Sequence, residues 1–313
     1  MRRVEYDHFG GPEVLHVSEV PVPTAGPGQV LVEVLSAGVG GGETAIRAGK
    51  LRRVMRLRFP QGTGNEFAGR VAAVGAGVRY RVGDLVWGLM PHGTFGAIAE
   101  QVVVPQDRLA ALPAGLDPAT AGAMPVSGTT AITALEEKAR LRPGERLLVR
   151  GATGGVGSIA VQLGRYLGAH VTAMAGQRNL EWVRELGADA ALDYRTTRPG
   201  DLEPFDVIVD LVGTDLPAYR RRLTRGGRMV ALAIAPDAVA RSVAATVFGR
   251  VLRRPILSFS NNPSAHTIAR LTELVEAGAV RPVLDRAFPM EEIADVHRLL
   301  EAGGVRGKYV IAP

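Results

Sequence analysis

The sequence of 313 residues contains no cysteine, only three lysines, and few aromatic residues, which make up 5% of the chain. The absence of cysteine excludes disulfide bonds, a thiol nucleophile and any cysteine-ligated metal, and it is typical of a reducing compartment. No apolar run approaches the roughly 18 residues of a transmembrane helix. The first residues, MRRVEYDHFG, also lack the apolar segment of a signal peptide. We therefore expect a cytoplasmic protein with no membrane partner.

Positive charge, in contrast, is abundant and is carried almost entirely by arginine. The net charge is +6 and the pI is about 10.0. Arginines cluster at Arg52-Arg53 with Arg56 and Arg58, at Arg220–Arg222 and at Arg253-Arg254. A basic surface can attract nucleic acid, but no pattern of aromatic residues for base stacking accompanies these clusters. We interpret them as solvated surface, and we expect a small-molecule substrate rather than a nucleic acid.

The distribution of glycine and proline divides the chain into two predicted domains. Up to about residue 120, short β-rich segments are separated by glycine and proline, which predicts a compact, barrel-like β domain. From Pro125 onwards, apolar strands alternate with helical patterns, and this alternation predicts a doubly wound parallel sheet. The strands predicted in the second region are 146–150, 169–175, 190–194, 205–212 and 229–234. Helices over 266–277 and near 291–301 and a strand over 308–311 follow.

The segment GATGGVGS, residues 151–158, lies between a predicted strand and a helix with apolar residues at helical spacing. A helix N-terminus offers unpaired N–H groups and a partial positive charge to a phosphate, and glycine lets the backbone approach it closely. Gly151, Gly154 and Gly157 are spaced by three, which departs from the G-x-G-x-x-G pattern. The segment alone is therefore also compatible with a purely structural turn, but its βαβ context favours a dinucleotide site.

The end of the second strand of the parallel region is where dinucleotide-binding domains distinguish the two nicotinamide cofactors. An acidic residue there selects the 2′-hydroxyl of NAD, whereas a basic residue accepts the 2′-phosphate of NADP. The chain reads Ala-Met-Ala-Gly-Gln-Arg-Asn over 173–179, with Arg178 and no acid. Arg178 therefore predicts NADPH, with the alternative that it is only a solvated residue at the start of the next helix.

Longer segments resemble the medium-chain dehydrogenase/reductases, and in particular the zinc-free quinone oxidoreductase (zeta-crystallin) branch. The resemblance spans essentially the whole chain and includes GNEFAGRVAAVGAGV, GTFGAIAEQVVVP, RPGERLLVRGATGGVGSIAVQLGRYLGAHVTA and RGKYVI. It implies an α/β protein with a GroES-like, mainly β catalytic domain over 1–123, completed by 265–313. The resemblance also implies a Rossmann NADP-binding domain over 124–264, between these two segments of the sequence. The family commonly forms dimers, and we place the two-fold contact at the predicted edge strand 255–260, PILSFS.

The resemblance also implies which residues contact the cofactor. Thr130 is carried over from the SGTTA segment and Tyr194 from LDY, where relatives use a tyrosine hydroxyl. Lys308, in RGKYV, is expected to add positive charge near the 2′-phosphate. The predicted set is Thr130, Ala152, Thr153, Gly154, Gly155, Val156, Gly157, Arg178, Tyr194, Val212, Gly213 and Lys308.

Zinc-dependent relatives have a cysteine near position 40 and a histidine at position 65, where this chain has Gly40 and Asn65. The six histidines are scattered along the sequence and show no metal-ligand spacing. We therefore expect no metal site. Because an alcohol needs a Lewis acid to become an alkoxide, we also expect no alcohol oxidation. Hydride transfer to an electron-poor quinone or conjugated enone needs orientation more than acid catalysis. The predicted function is therefore zinc-independent reduction of a quinone or an α,β-unsaturated carbonyl by NADPH.

The substrate side departs from the family pattern in the segment GVGGGETAIRAG. Gly40 stands where asparagine is usual and Glu43 where aspartate is usual, and the aromatic residue that follows in the family is absent. The glycine run is either a flexible turn or a widening of the pocket for a bulkier acceptor. We predict Asn65, Glu66 and Glu43 as catalytic residues on this side, with the alternative that Glu66 is a structural acid bonded to the backbone.

Two other functions remain compatible with the sequence. One is a dedicated enoyl or ketone reductase of a biosynthetic pathway. The other is a non-catalytic RNA-binding or structural role, which some proteins resembling this chain have and which the basic pI permits. The amphipathic segment KLRRVMRLRF, residues 50–59, either packs against the protein or caps a large or anionic substrate.

Overall fold

A computed structural model describes residues 1–53, 55–232 and 254–313 and divides the chain into two compact units. The β-rich unit comprises Met1–Thr129 and Asn262–Pro313, and the α/β unit comprises Thr130–Asn261. The predicted junctions were 123/124 and 264/265. The first junction lies later because helix α3, Pro125–Ile132, begins in the β-rich unit, where the N–H of Val126 donates to Glu66 at 2.6 Å.

The β-rich unit is built on antiparallel pairing around one long strand. Strands β5, Glu66–Val74, and β7, Gln101–Pro105, both pair with β3, Gln29–Val39. Side chains of β3 alternate between buried and partly exposed at its start, as expected for a strand with one face on a core. The remaining strands of the unit are β1 Arg2–Tyr6, β2 His16–Glu19, β4 Gln61–Gly62, β6 Leu85–Leu89, β8 Leu109–Ala111, β15 Leu284–Pro289 and β16 Lys308–Ala312.

These strands form two sheets, whose order brings distant parts of the sequence together. The larger sheet has the order β15-β16-β3-β5-β6-β8, with β7 also on β3, and the smaller has the order β2-β1-β4. The C-terminal strand β16 therefore lies beside β3, with Tyr309 opposite Val39. The helices of this unit are α1 Gly41–Arg47, α2 Pro118–Ala121, the start of α3, α7 Ala265–Glu276 and α8 Ile293–Ala302.

The α/β unit contains a six-stranded parallel sheet. Its strands are β9 Arg146–Arg150, β10 His170–Ala175, β11 Ala190–Asp193, β12 Phe205–Asp210, β13 Leu223–Ala231 and β14 Ile256–Leu257. Their order, β11-β10-β9-β12-β13-β14, is that of the Rossmann fold, and β9 and β12 are central. Their middle residues, Leu147–Val149 and Val207–Val209, are apolar and buried, because a parallel sheet is covered on both faces. Helices α4 Gly155–Tyr166, α5 Leu180–Glu185 and α6 Leu216–Arg220 connect the strands.

The predicted fold class, a Rossmann sheet plus a GroES-like β domain, is confirmed, and three local differences have physical causes. Gly41 and Gly42 begin α1 rather than forming a flexible turn, because the carboxylate of Glu43 accepts the N–H of Gly40 and caps the first turn. β13 begins at Leu223, before the predicted start at residue 229, because its register against β12 shifts after Phe205. The end of the predicted strand 229–234, together with Val54 and Arg253, lies outside the described residues. Within the described part of the chain, no helix is long and apolar enough to cross a membrane.

Candidate active site

The glycine segment forms the turn between β9 and α4. Gly151 has φ +77°, a conformation that residues with a side chain rarely adopt, and Gly154 is the N-cap of α4 with no side chain capping the first-turn N–H groups. An added Cβ on Gly157 would lie 2.1 Å from the carbonyl oxygen of Gly151, so this position requires glycine. An added Cβ on Gly154 would meet only that same oxygen, at 3.8 Å. The first turn of α4 therefore begins beside open space, as a phosphate site requires.

Most of the other residues predicted around the phosphates lie in this turn or in the turn after β12. Thr153, Gly155 and Val156 belong to the turn and the start of α4 and are partly exposed. Ala152 is buried, and its N–H donates to the carbonyl of Met174, so it holds the turn against β10. Thr130 is buried within α3.

Val212 and Gly213 form the turn that follows β12, and a buried ion pair holds that turn in place. One carboxylate oxygen of Asp210 accepts the N–H groups of Val212 and Gly213 at 3.0 and 2.7 Å. The other pairs with the Arg150 guanidinium, which also donates to the carbonyl of Thr214 at 2.8 Å. Neither Arg150 nor Asp210 was identified from the sequence, although each charge directly follows a run of three apolar strand residues, which is an available signal.

Two of the three predicted 2′-phosphate residues, Arg178 and Tyr194, come together at one end of the parallel sheet. Arg178 lies exposed in the short turn after β10, and Tyr194, 56% exposed, follows β11. The two strands are in parallel register with Ala175 opposite Asp193, and an added Cβ on Gly176 would lie 3.5 Å from the Tyr194 ring. Arg195, which was not predicted from the sequence, also lies here, with its guanidinium carbon 5.6 Å from the centroid of that ring. Two cations and a phenol hydroxyl thus border this sheet end.

A second polar group, which we call the charge cluster, consists of Glu43, Glu66 and Lys308 in the β-rich unit. Glu43 projects from α1 and accepts hydrogen bonds from the N–H of Gly40 at 3.1 Å, the hydroxyl of Thr63 at 3.0 Å and the N–H of Gly64 at 3.1 Å. Burial raises the pKa of the Glu43 carboxyl, and the nearby Lys308 ammonium and these donors lower it by less.

Glu66 and Lys308 form the buried half of the charge cluster. Glu66, 1% exposed, begins β5, accepts the N–H of Val126 and pairs with the ammonium of Lys308, which is 7% exposed at the start of β16. Burial lowers the pKa of Lys308 to about 8, against the opposing effect of Glu43. The backbone bond of Glu66 agrees with the structural role that was one of its two predicted interpretations.

Lys308 has a carboxylate partner that was not predicted from the sequence. It was predicted beside the 2′-phosphate, and in the structure its ammonium is buried against Glu66. A buried ammonium with a carboxylate partner is not a free cation for a phosphate, so this ion pair gives no support to that part of the prediction. Asn65, the third predicted catalytic residue, is partly buried and precedes Glu66, and its carbonyl accepts the N–H of Met90.

A second ion pair with a buried arginine links helix α1, which carries Glu43, to α8. The guanidinium of Arg47, at the end of α1, pairs with Glu301 and is almost completely buried. The arginine-rich segment that follows α1 exposes Arg52, Arg53, Arg56 and Arg58. Among the described residues, no three His, Cys, Asp or Glu side chains come together as metal ligands.

Family models match two parts of the chain. The model described as "Alcohol dehydrogenase GroES-like domain" matches residues 26–114, and the model described as "Zinc-binding dehydrogenase" matches residues 186–311. The first match lies within the β-rich unit, and the second extends from the α/β unit into the C-terminal strands.

Similar proteins cover the whole chain. A chloroplast envelope quinone oxidoreductase homolog of Arabidopsis thaliana is 30% identical over 100% of this chain and 98% of that protein. A chloroplastic NADPH-dependent alkenal/one oxidoreductase of the same plant is 31% identical over 100% of this chain and 80% of that protein. The solved structure of a quinone oxidoreductase from Coxiella burnetii superposes with a TM-score of 0.89 at 27% identity, covering 100% of this chain and 99% of that one.

Proposed function

Because the chain belongs to the quinone oxidoreductase branch of the medium-chain dehydrogenase/reductase superfamily, we propose that it reduces a quinone or an α,β-unsaturated carbonyl with NADPH and without zinc. When bound, the reduced nicotinamide supplies the hydride. The protein supplies phosphate-binding amides, cofactor selection and a polar group on the substrate side. A dedicated enoyl or ketone reductase would use the same machinery and differ only in its acceptor.

The observation that carries this proposal is the fit of the α/β unit to a dinucleotide. The open first turn of α4, beginning at Gly155, would hold the pyrophosphate on backbone N–H groups, with Val212 and Gly213 on the neighbouring turn. Gly157 has no room for a side chain, so the helix can approach the sheet closely enough to place those groups. The names of relatives such as the alkenal/one oxidoreductase support the same cofactor and acceptor class.

The preference for NADPH rests on the cations at the ends of β10 and β11. A 2′-phosphate carries up to two negative charges, and Arg178 and Arg195 offer guanidinium groups that can bond its oxygens in pairs. The carboxylate of Asp193, the nearest acid, accepts the N–H of Arg195 at 3.0 Å. That acid lies at the end of β11 rather than β10, where a ribose-binding acid would stand.

Replacing Arg178 with alanine is expected to weaken NADPH binding by about 10- to 100-fold and to leave NADH binding nearly unchanged. A hydrogen bond to a charged group contributes roughly 1.5–3 kcal/mol, and NADH has no phosphate at this position. Dissociation constants for both cofactors, measured by fluorescence titration, provide the test. The matched control is Arg184→Ala, which removes an equally exposed arginine of the same unit, on α5. Equal losses for the two cofactors, or a wild-type preference for NADH, would contradict the assignment.

Zinc independence is proposed from the residues that replace the ligands of zinc-dependent relatives. Gly40 has no side chain, and Asn65 has an uncharged amide. Both lie beside the charge cluster, because the N–H groups of Gly40 and of Gly64, which precedes Asn65, donate to Glu43. The substrate side of the β-rich unit thus offers an ammonium and two carboxyl groups. We therefore propose acceptors that are already electron-poor, since they need no Lewis acid.

The reaction itself is tested by NADPH oxidation in the presence of a panel of quinones, enals and enones. We expect turnover with at least one of these classes, no turnover with saturated alcohols plus NADP⁺, and rates unaffected by a metal chelator. Alcohol oxidation, or loss of activity on chelation with recovery on adding zinc, would contradict the proposed reaction.

We further propose a homodimer in a reducing compartment such as the cytoplasm, with neither nucleic acid nor a membrane as partner. The edge strand β14, Ile256–Leu257, ends the described order of the parallel sheet and leaves hydrogen-bonding groups available to a second copy. This segment overlaps the one predicted for the two-fold contact. The absence of cysteine supports the choice of compartment.

A further inference from the structure

The proposed reduction leaves one chemical requirement open, which is the source of the proton. Hydride addition to an enone or a quinone produces an enolate or a hydroquinone anion, and this anion takes up one proton to become the product. The charge cluster contains the chemistry for such a step. It holds two carboxyl groups and one ammonium in a place where hydration is poor.

We propose that Lys308 is the proton donor of the reaction and that Glu43 replaces its proton. This inference rests on the proposed function. In the step, an N–H bond of the Lys308 ammonium breaks, its electron pair stays on nitrogen, and the proton bonds to oxygen or carbon of the anion. The neutral amine then takes a proton from the carboxyl group of Glu43, which regains one from water.

Access to Lys308 is the first argument. An added Cβ on Gly40 would lie 3.7 Å from both Cε and Nζ of Lys308 and 3.9 Å from Glu43. An added Cβ on Gly41 or Gly42 would meet no atom within 4 Å. Glycine at position 40 therefore places no side chain against the ammonium, and the start of α1 beside it is open at Gly41 and Gly42. The glycine run thus gives an acceptor a way to approach the donor.

The charge balance is the second argument. With both carboxyl groups ionised, the charge cluster would carry a net negative charge with little water to stabilise it. One additional proton neutralises it, and the raised pKa of Glu43 makes that carboxyl the one to hold it. Glu66, in contrast, is fixed by Val126 and orients the ammonium.

The neighbouring titratable group, Tyr6, is unsuited to donate. Burial and the adjacent Glu43 raise its pKa to about 12, and the side chain is only 2% exposed. The groups that face Lys308 are Glu43 from α1 and Glu66 from β5. The lowered pKa of Lys308, about 8, is closer to neutral than that of an ordinary lysine, and a donor works best when its pKa is near the operating pH.

The decisive variant is Lys308→Arg, since arginine keeps the positive charge and the ion pair with Glu66 but does not release a proton at accessible pH. We expect kcat with the preferred acceptor to fall on the order of 100-fold. We also expect the kcat of the wild type to decline above about pH 8, and this decline to be absent in the variant. The matched control is Lys138→Arg, at an exposed lysine, which should keep the wild-type rate and pH profile.

A second measurement needs neither turnover nor a folded variant at position 308. The chain has only three lysines, at 50, 138 and 308, so NMR titration of isotope-labelled lysine side chains resolves each one. One signal should titrate near pH 8 and remain in both Lys50→Arg and Lys138→Arg, which assigns it to Lys308.

The outcomes separate this inference from the proposed function. Wild-type protein that reduces no acceptor with NADPH contradicts the proposed function, and the inference falls with it. Wild-type turnover together with an unchanged rate or pH profile in Lys308→Arg contradicts the inference alone. A Lys308 signal that titrates at the ordinary lysine pKa also contradicts it, whatever the variant does.

Discussion

Replacing Gly154 with valine is expected to weaken NADPH binding by more than about 100-fold while leaving the fold intact. In the protein alone, an added Cβ at this position meets a single atom, at 3.8 Å, so the larger side chain has room. With a dinucleotide present, the side chain would fill the space before the first turn of α4 and displace the phosphate from its N–H donors. Losing two charge-assisted hydrogen bonds of roughly 1.5–3 kcal/mol each accounts for the expected size.

Binding is measured by calorimetry and folding by thermal denaturation of the same samples. The control is Gly200→Val, at a position in the same unit where an added Cβ meets nothing within 4 Å. It should bind NADPH like the wild type. Normal cofactor binding by Gly154→Val would show that this turn does not hold the pyrophosphate. Gly157 is unsuitable for the test because its substitution disturbs the backbone of Gly151 directly.

Replacing Asp210 with alanine is expected to lower the free energy of unfolding of the α/β unit by about 3–5 kcal/mol. The substitution leaves the Arg150 guanidinium, only 5% exposed, without its carboxylate, and it removes the acceptor of two backbone N–H groups. Arg150 would keep its bond to Thr214 and its position 3.5 Å over the Tyr219 ring, which do not neutralise its charge. The turn with Val212 and Gly213 would also lose its support, so cofactor binding should weaken.

Urea denaturation followed by circular dichroism measures the change in unfolding free energy. The matched control is Asp295→Ala, which breaks an exposed aspartate–arginine pair in the β-rich unit. Exposed pairs of this kind contribute about 0–1 kcal/mol, so the control should differ little from the wild type. A loss below about 1 kcal/mol for Asp210→Ala would mean that water reaches Arg150 and replaces the carboxylate.

The parallel sheet and its glycine turn could be predicted because their signals are local. β9 was predicted with the observed bounds, Arg146–Arg150, and a helix was predicted after the glycine segment, where α4 lies. Apolar runs identify buried parallel strands, and the 3.6-residue period identifies the helix between them. Arg178 and Tyr194 could be placed at one sheet end because consecutive parallel strands end on the same side.

The local structure at glycines was harder to predict from the sequence, because a glycine permits several backbone conformations. The run at 40–42 predicted either a turn or a wider pocket, whereas Gly41 and Gly42 begin a helix capped by the carboxylate of Glu43. Gly226 lies within β13, although the strand was predicted to begin after it, at residue 229. In both places the neighbouring contacts, rather than the residue type, selected the conformation.

By itself the sequence determined the two-domain α/β architecture, the open glycine turn and the basic end of β10, because each depends on residues close together in the chain. Only the tertiary structure decided the partners of the buried charges. Lys308 joins Glu66 because β16 pairs with β3 and β3 with β5, and no local pattern contains that adjacency. Burial then changes the chemistry of the groups it brings together: it raises the pKa of Glu43 and lowers that of Lys308. A lysine expected from the sequence to be a cation for a phosphate is therefore placed, by long-range strand pairing and loss of hydration, in a buried charge cluster.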